Sequence, residues 1–234
     1  MLSIIIPALN EEKNLPRLFE SIKKQNFGGY EIIVADAGSE DRTLEICKEN
    51  NCRILKGGLP AKGKNEGAKI ANGDLLLFMD ADTFLSQDFF KNSLKEFKDR
   101  NLGIASFKLI PYSGNKLSLF LLNYFYNYPI VILEKILPHA ANGILVKKEL
   151  FEKIGGFEED IKLAEDHYMA RQAAKLERFG IIKSAQVFIS DRRFKTDGWL
   201  RTGIKYLLCE LHMIFLGPVR SDIFKYEFNH YNKK

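Results

Sequence analysis

The amino-acid sequence predicts an α/β fold: a doubly wound, mainly parallel sheet with helices on both faces, followed by an irregular helical C-terminal region. Three observations lead there. Short apolar, β-branched runs alternate with stretches of helical periodicity through residues 2–82, the signature of strand–helix–strand units. Two of those runs stop abruptly at an aspartate, at Asp36 and at Asp80. No tandem repeat, low-complexity tract or Pro/Ser linker divides the 234 residues, so a single domain over residues 1–234 is expected.

The elements follow in order. Residues 2–6 are continuously apolar and closed by Pro7, which reads as a strand buried on both faces. Leu15, Leu18, Phe19 and Ile22 then recur at helical spacing, and Gly28-Gly29 ends that segment before a second buried strand over residues 30–35. Asp41 can cap a helix through Leu44 and Cys47. Residues 52–55 make a short strand, and residues 61–71 a helix that Asn72-Gly73 breaks. The most hydrophobic strand, residues 75–79, runs into Asp80-Ala81-Asp82.

The second half is less regular. Strands are expected over residues 103–109, 144–146 and 181–190, and helices over 148–154, 165–178 and 199–216. Residues 117–137 form a long apolar helix or pair of helices. Asn123, Asn127, Pro129, Glu134 and Lys135 interrupt that stretch too often for a bilayer span.

Composition narrows the function classes. Lys and Arg exceed Asp and Glu by 35 to 30, a balance that suits an anionic small ligand or an acidic membrane surface and is too weak for nucleic acid. Cys47, Cys52 and Cys209 are odd in number and lack CxxC or paired-histidine spacing, which argues against both a disulfide framework and a zinc site. That cysteine pattern fits a reducing cytoplasm, and with no basic leader or cleavage-site pattern before the first strand a secretory signal is not expected.

In a doubly wound sheet the ligand site lies outside the carboxyl ends of the parallel strands, where Pro7, Asp36 and Asp80 all fall. The loop Pro7-Ala8-Leu9-Asn10-Glu11-Glu12 is not a glycine-rich dinucleotide turn, and no GxxxxGK[ST] phosphate loop occurs. Asn10, Glu11 and Glu12 equally suit an ordinary helix N-terminus. Asp36, at a strand mouth before a glycine turn, can accept a hydrogen bond from a base or ribose. Asp80 and Asp82, two residues apart at a strand end, are expected by the strand's period of two to point to the same side and to present hard oxygen ligands to Mg²⁺ or Mn²⁺, and a metal held there would neutralise a diphosphate leaving group. Lys62, Lys64 and Asn65 can reach the same edge or simply form a solvated helix face. Glu165-Asp166 opens a helix, where acids favour the dipole whatever their function.

Taken together these segments resemble the family 2 glycosyltransferases of the GT-A fold. The resemblance runs from Leu2 to Thr202 through Ser3-Ile4-Ile5-Ile6-Pro7-Ala8-Leu9-Asn10-Glu11-Glu12, then Ile33-Val34-Ala35-Asp36-Ala37-Gly38-Ser39-Glu40-Asp41-Arg42-Thr43. It continues through Lys64-Asn65-Glu66-Gly67, Gly73-Asp74 with the following strand and Asp80-Ala81-Asp82, Gly155-Gly156-Phe157, and Glu165-Asp166. It implies a donor half over residues 1–110, in which Pro7, Ala8, Glu11 and Asp36 hold base and ribose and Lys64, with Asn65, approaches base or diphosphate. Asp80 would serve ribose and metal, and Asp82 the metal, Mn²⁺ or Mg²⁺. An acceptor half over residues 111–234 would supply Asp166 as general base beside Glu165.

The implied reaction is inverting transfer from a nucleotide-diphospho-sugar to a glycan or lipid-linked hydroxyl. Ala37 stands where many members carry a second acid, so base recognition is expected to differ. Arg192-Arg193-Phe194 is the nearest approach to the QxxRW signature of processive members, so repeated addition is not expected. A nucleotidyltransferase and a non-catalytic nucleotide-sugar-binding module are the competing classes. The first would need a glycine-rich basic loop after the first strand; the second would not need Asp166. Ile204, Leu207, Leu208, Leu211 and Phe215 follow helical spacing, with Arg201 and Lys205 nearby. With the aromatic 117–137 stretch they suit a membrane surface at the inner face of the cell membrane, and equally the protein's own core or a homodimer contact.

Overall fold

The computed structural model describes residues 1–112, 115–190 and 198–224. Its centre is one eight-stranded mixed sheet. The strands are β1 (Leu2–Ala8), β2 (Tyr30–Asp36), β3 (Arg53–Lys56), β4 (Leu75–Phe78), β5 (Thr83–Leu85), β6 (Ile104–Pro111), β7 (Ile144–Lys147) and β8 (Phe179–Ile189), in the order β3-β2-β1-β4-β7-β6-β8-β5. The helices are α1 (Leu15–Lys23), α2 (Thr43–Glu49), α3 (Pro60–Ile70), α4 (Phe89–Asp99), α5 (Lys116–Leu122), α6 (Tyr128–Ile132), α7 (Lys148–Lys153), α8 (Glu165–Ala174) and α9 (Trp199–Phe215), with a π-helical turn over Asn123–Asn127 between α5 and α6.

The doubly wound reading holds for the first half. β3, β2, β1 and β4 are mutually parallel, and Ala8 pairs with Asp36 so that the β1 and β2 ends are level. β1, β2 and β4 bury both faces, whereas β3 at the edge leaves Arg53 and Lys56 exposed. Ile4 and Ile6 pack into one core with Leu15, Leu18, Phe19 and Ile22 of α1 and with Phe89, Phe90 and Phe97 of α4, while Ile5 enters the other with Ala61 and Ala68 of α3 and Met169, Ala170 and Ala173 of α8. This two-sided burial is why these strands read as unbroken apolar runs. Beyond β4 the sheet turns mixed: β7 runs antiparallel to both β4 and β6, β6 is parallel to β8, and β5 closes the edge antiparallel to β8.

Two elements escaped the periodicity reading. β5 is three residues long, too short to show alternation, and α4 follows it after an aspartate in left-handed backbone, Asp88 with φ 53°. The buried Phe89, Phe90, Ser93 and Phe97 of α4 nonetheless keep helical spacing. Helix α3 sits unusually close to the sheet. A Cβ on Gly67 would lie 2.5 Å from Ile5 Cγ2, and one on Gly63 3.3 Å from both Ala35 and Pro7. That approach sets the depth at which the side chain between them, Lys64, enters the molecule.

Candidate active site

The first two loops after β1 and β2 are tied to each other. Asp36 is buried, and its carboxylate accepts the Gly38 and Ser39 amides at 2.9 and 3.0 Å and the Ser39 hydroxyl at 2.5 Å. The Asn10 amide donates to Ser39 Oγ at 2.9 Å and the Glu11 amide to Thr43 Oγ1 at 2.7 Å, while Glu11 Oε2 accepts from the Asn14 side chain at 2.6 Å. Asp41 does the capping expected of it, accepting the Thr43 amide at 2.9 Å at the start of α2 and also the Glu12 amide at 3.1 Å. Pro7 and Ala8 end β1 directly beneath this pair of loops.

Asp80-Ala81-Asp82 is not the tip of a strand. β4 stops at Phe78, and Ala81 and Asp82 form a turn that enters β5, pinned where the Thr83 hydroxyl donates to the Asp80 carbonyl at 2.6 Å. The period-two argument therefore does not apply to these acids; a tight turn presents them instead. Asp80 Oδ2 accepts from Asn142 Nδ2 at 3.1 Å, and Asn142 is itself in left-handed backbone with φ 54°.

Lys64 and Lys62 separate sharply. Lys62 lies on the solvated face of α3, whereas Lys64 is 2% exposed and points inward. Its ammonium is 2.6 Å from Asp166 Oδ1 and 3.4 Å from Glu165 Oε1, and stands 5.0 Å from the centre of the Phe157 ring. Asp166 and Glu165 are 13% and 12% exposed at the first turn of α8. The residue before them, Ala164, is in left-handed backbone at φ 63°, a conformation that costs a non-glycine residue about 1 kcal/mol or more and persists only where surroundings enforce it. Burial, together with the neighbouring carboxylates of Glu165 and Asp80, raises the Asp166 carboxyl to about 7 against the opposing pull of Lys64. The same three acids keep Lys64 protonated despite its burial.

Asn65 faces the other way. Its carboxamide accepts the Phe157 amide at 2.9 Å and donates to the Phe157 carbonyl at 2.9 Å and to Glu159 at 3.0 Å. The Gly155-Gly156-Phe157 segment is thereby docked onto α3. Gly156, at φ 78°, is required there because a Cβ would lie 2.6 Å from Asn65 Oδ1. Phe157 in turn packs edge-on against Phe78 of β4 at 5.0 Å.

Asp36, Lys64, Asp80, Glu165 and Asp166 thus belong to the edge where the parallel strands end, with Lys64, Glu165 and Asp166 in direct contact. Sequence reasoning did not place Asn142 or the half-buried Tyr126 at the site; the Tyr126 hydroxyl is itself buried, has no partner among the described residues and has its pKa raised by burial and by the charge of Asp166. Neither carries a spacing signal; both reach the site through tertiary packing. Arg192-Arg193-Phe194 lies outside the described residues.

Comparisons with known proteins give the family and the fold. Residues 3–155 match the model of glycosyl transferase family 2. Among curated proteins, the chain is 36% identical over 108 residues to a dolichyl N-acetyl-α-D-glucosaminyl phosphate diacetamido-dideoxyglucuronosyltransferase of Methanococcus voltae, covering 42% of this chain and 34% of that protein. It is 25% identical over 218 residues to the glycosyltransferase GlyG of Streptococcus pneumoniae, covering 83% and 69%. Among solved structures, the fold superimposes on Pyrobaculum calidifontis mannosyltransferase PcManGT in complex with GDP-Man and Mn²⁺ with a TM-score of 0.72 at 18% identity, over 96% of this chain and 66% of that one. Staphylococcus aureus TarS 1-349 in complex with UDP-GlcNAc gives 0.67 at 21% identity, over 90% and 66%.

The fold is therefore that of the GT-A glycosyltransferases. With nearly two thirds of its length matched by the family model, the chain belongs to glycosyl transferase family 2. It spans between about a third and about two thirds of the length of these curated relatives.

Proposed function

We propose that this protein transfers a sugar from a nucleotide-diphosphate donor to an acceptor hydroxyl, with inversion at the anomeric carbon and Asp166 as the general base. The observation that carries the reading is the buried Lys64–Asp166–Glu165 cluster at the ligand edge of the sheet. A carboxyl raised by burial is a better proton acceptor than an ordinary surface aspartate. Its position on the first turn of α8 is held from both sides, by Lys64 and by the strained Ala164 linkage. Glu165 shares the Lys64 ammonium and keeps the carboxylates crowded.

The donor half comprises residues 1–110 and the acceptor half residues 111–234 of one domain. Asp36 and Glu11, with the β1 end at Pro7 and Ala8, receive base and ribose; the Asp36 carboxylate would exchange its bonds to Gly38 and Ser39 for bonds to the nucleoside. Lys64 places positive charge beneath the diphosphate. Asn65 we assign to positioning, because its carboxamide holds the Phe157 loop. Asp80 and Asp82 are hard carboxylate donors on one tight turn at this edge, a set that fits Mn²⁺ or Mg²⁺. A cation bound there would supply charge stabilisation for the departing diphosphate. The metal-bearing and nucleotide-sugar-bearing complexes of the structural neighbours support this reading.

The acceptor is a glycan or a lipid-linked saccharide, the second in line with the dolichyl N-acetyl-α-D-glucosaminyl phosphate in the name of one relative. Two variants test the proposal. Asp166→Asn is expected to fold, to bind donor and to lose transfer by about a hundredfold or more, the range for a missing general base; near-normal turnover moves the base elsewhere. Asp82→Ala is expected to abolish Mn²⁺-dependent donor binding in calorimetry across UDP-, GDP- and dTDP-sugars, and unchanged affinity removes the metal assignment.

A further inference from the structure

Behind the candidate base lies a second polar cluster that the proposed transfer does not use. His139 comes from the loop preceding β7, His167 from α8 and Glu210 from α9. Their potential ligand atoms all lie within 4.8 Å of one another. Glu210 Oε2 is 3.7 Å from His167 Nδ1 and 3.9 Å from His139 Nδ1, and the two imidazole rings are 3.6 Å apart between centres. These separations are too long for hydrogen bonds. His139 Nε2, His167 Nδ1 and Glu210 Oε2 are each buried without a partner among the described residues.

Buried polar atoms without partners are uncommon because each forfeits its hydration. Two imidazoles and a carboxylate that lie beside one another and each bury such an atom suit a shared occupant. Arg171 pairs with the other Glu210 oxygen, Oε1, which fixes the carboxylate and leaves Oε2 turned toward the imidazoles.

We propose that His139, His167 and Glu210 form a binding site for one divalent transition ion of the Zn²⁺ type, separate from the Asp80-Asp82 turn. Two neutral imidazoles and one carboxylate are the donor set that such an ion prefers, with a fourth position left open. Ligand atoms around a tetrahedral ion at about 2.1 Å lie about 3.4 Å apart, so binding would draw Glu210 Oε2 and the imidazole nitrogens together and turn apart the two rings that now lie 3.6 Å between centres. The ion would join the loop before β7, α8 and α9 within the acceptor half, at the residue next to Asp166. No CxxC or histidine pair announces the site in the sequence, because its three ligands are 28 and 43 residues apart.

The test uses the full chain, stripped by chelator and then titrated with Zn²⁺ alone by calorimetry and with Co²⁺ alone by visible absorption. One ion per chain is expected, with a ligand-field spectrum of low-coordinate Co²⁺ and a raised melting temperature in Zn²⁺. His139→Gln and Glu210→Gln, each checked for fold by circular dichroism, are expected to weaken binding by more than about tenfold, while Asp82→Ala retains the ion and the spectrum. The proposal is overturned if the stripped protein takes up no Zn²⁺, if a folded His139→Gln or Glu210→Gln chain binds as before, or if Asp82→Ala abolishes uptake. If every His139 and Glu210 variant is unfolded, the Co²⁺ spectrum of the unsubstituted chain still decides, since an all-oxygen octahedral spectrum overturns it.

Discussion

Lys64 shows how much one buried charge organises. It is the ammonium that the carboxylates of Asp166, Glu165 and Asp80 share, and it is almost wholly removed from water. Removing one member of a buried ion pair costs more than the pair contributes, because the remaining charges keep their desolvation penalty. Lys64→Met is expected to lower stability by about 3 kcal/mol in denaturant unfolding. Adding Asp166→Asn to it should recover part of that loss, a non-additivity that a double-mutant cycle measures. Additive effects would mean that the pair is not coupled in solution.

At the scale of elements, α3 is the part that aims the site. Gly63 and Gly67 lie one turn apart on the face against β1 and β2, and the absent Cβ atoms let the helix approach close enough for Lys64 to reach α8. Gly67→Ala would ordinarily help a helix by up to about 1 kcal/mol. Here the new methyl meets Ile5 Cγ2, a fully buried atom in a central strand, and overpacking of this kind costs about 1–3 kcal/mol. A net loss of stability in thermal unfolding is expected, with a larger loss of donor affinity than Gly63→Ala produces. An unchanged melting temperature would show that α3 can shift outward.

Across the whole molecule the conspicuous feature is apolar surface on the acceptor half. Of the helical stripe in α9, Ile204, Leu207, Leu208, Leu211 and Phe215 are all exposed, and Cys209 and Met213 face the small core with Leu163 and Val219 instead. Leu117, Phe120, Tyr124, Phe125, Tyr128, Ile132 and Ile136 are exposed as well, the last at 81%, while Leu122, Asn127 and Ile130 face inward. Among the described residues, no helix is long and apolar enough to cross a membrane. We propose that these faces rest on a membrane surface where a lipid-linked acceptor is presented, since exposed patches this extensive mark interaction sites. The protein is expected to float with anionic liposomes at low salt; protein that stays at the bottom of the gradient, or that elutes as a dimer with these faces protected, removes the membrane claim.

What the sequence determined by itself is the part of the molecule whose neighbours are close along the chain. The parallel strands and the helices between them announce themselves because burial on two faces demands unbroken apolar runs and burial on one face demands a stripe. Asp36 and Asp80 were expected at the ligand edge because strand ends in such a sheet share it, although a turn after β4, and not the strand itself, carries Asp80 and Asp82. Lys64 and Asp166 were legible as motif residues, but not as partners. Only the tertiary structure decided that Lys64 is buried where Lys62 is solvated, that Asn65 holds a loop, and that the stripe of α9 faces outward. Likewise, His139, His167 and Glu210 meet through packing alone. The reason is physical: periodicity reports which face of an element is apolar, whereas pairing of polar side chains depends on how elements dock, and residues 101 or 102 positions apart leave no local pattern to read.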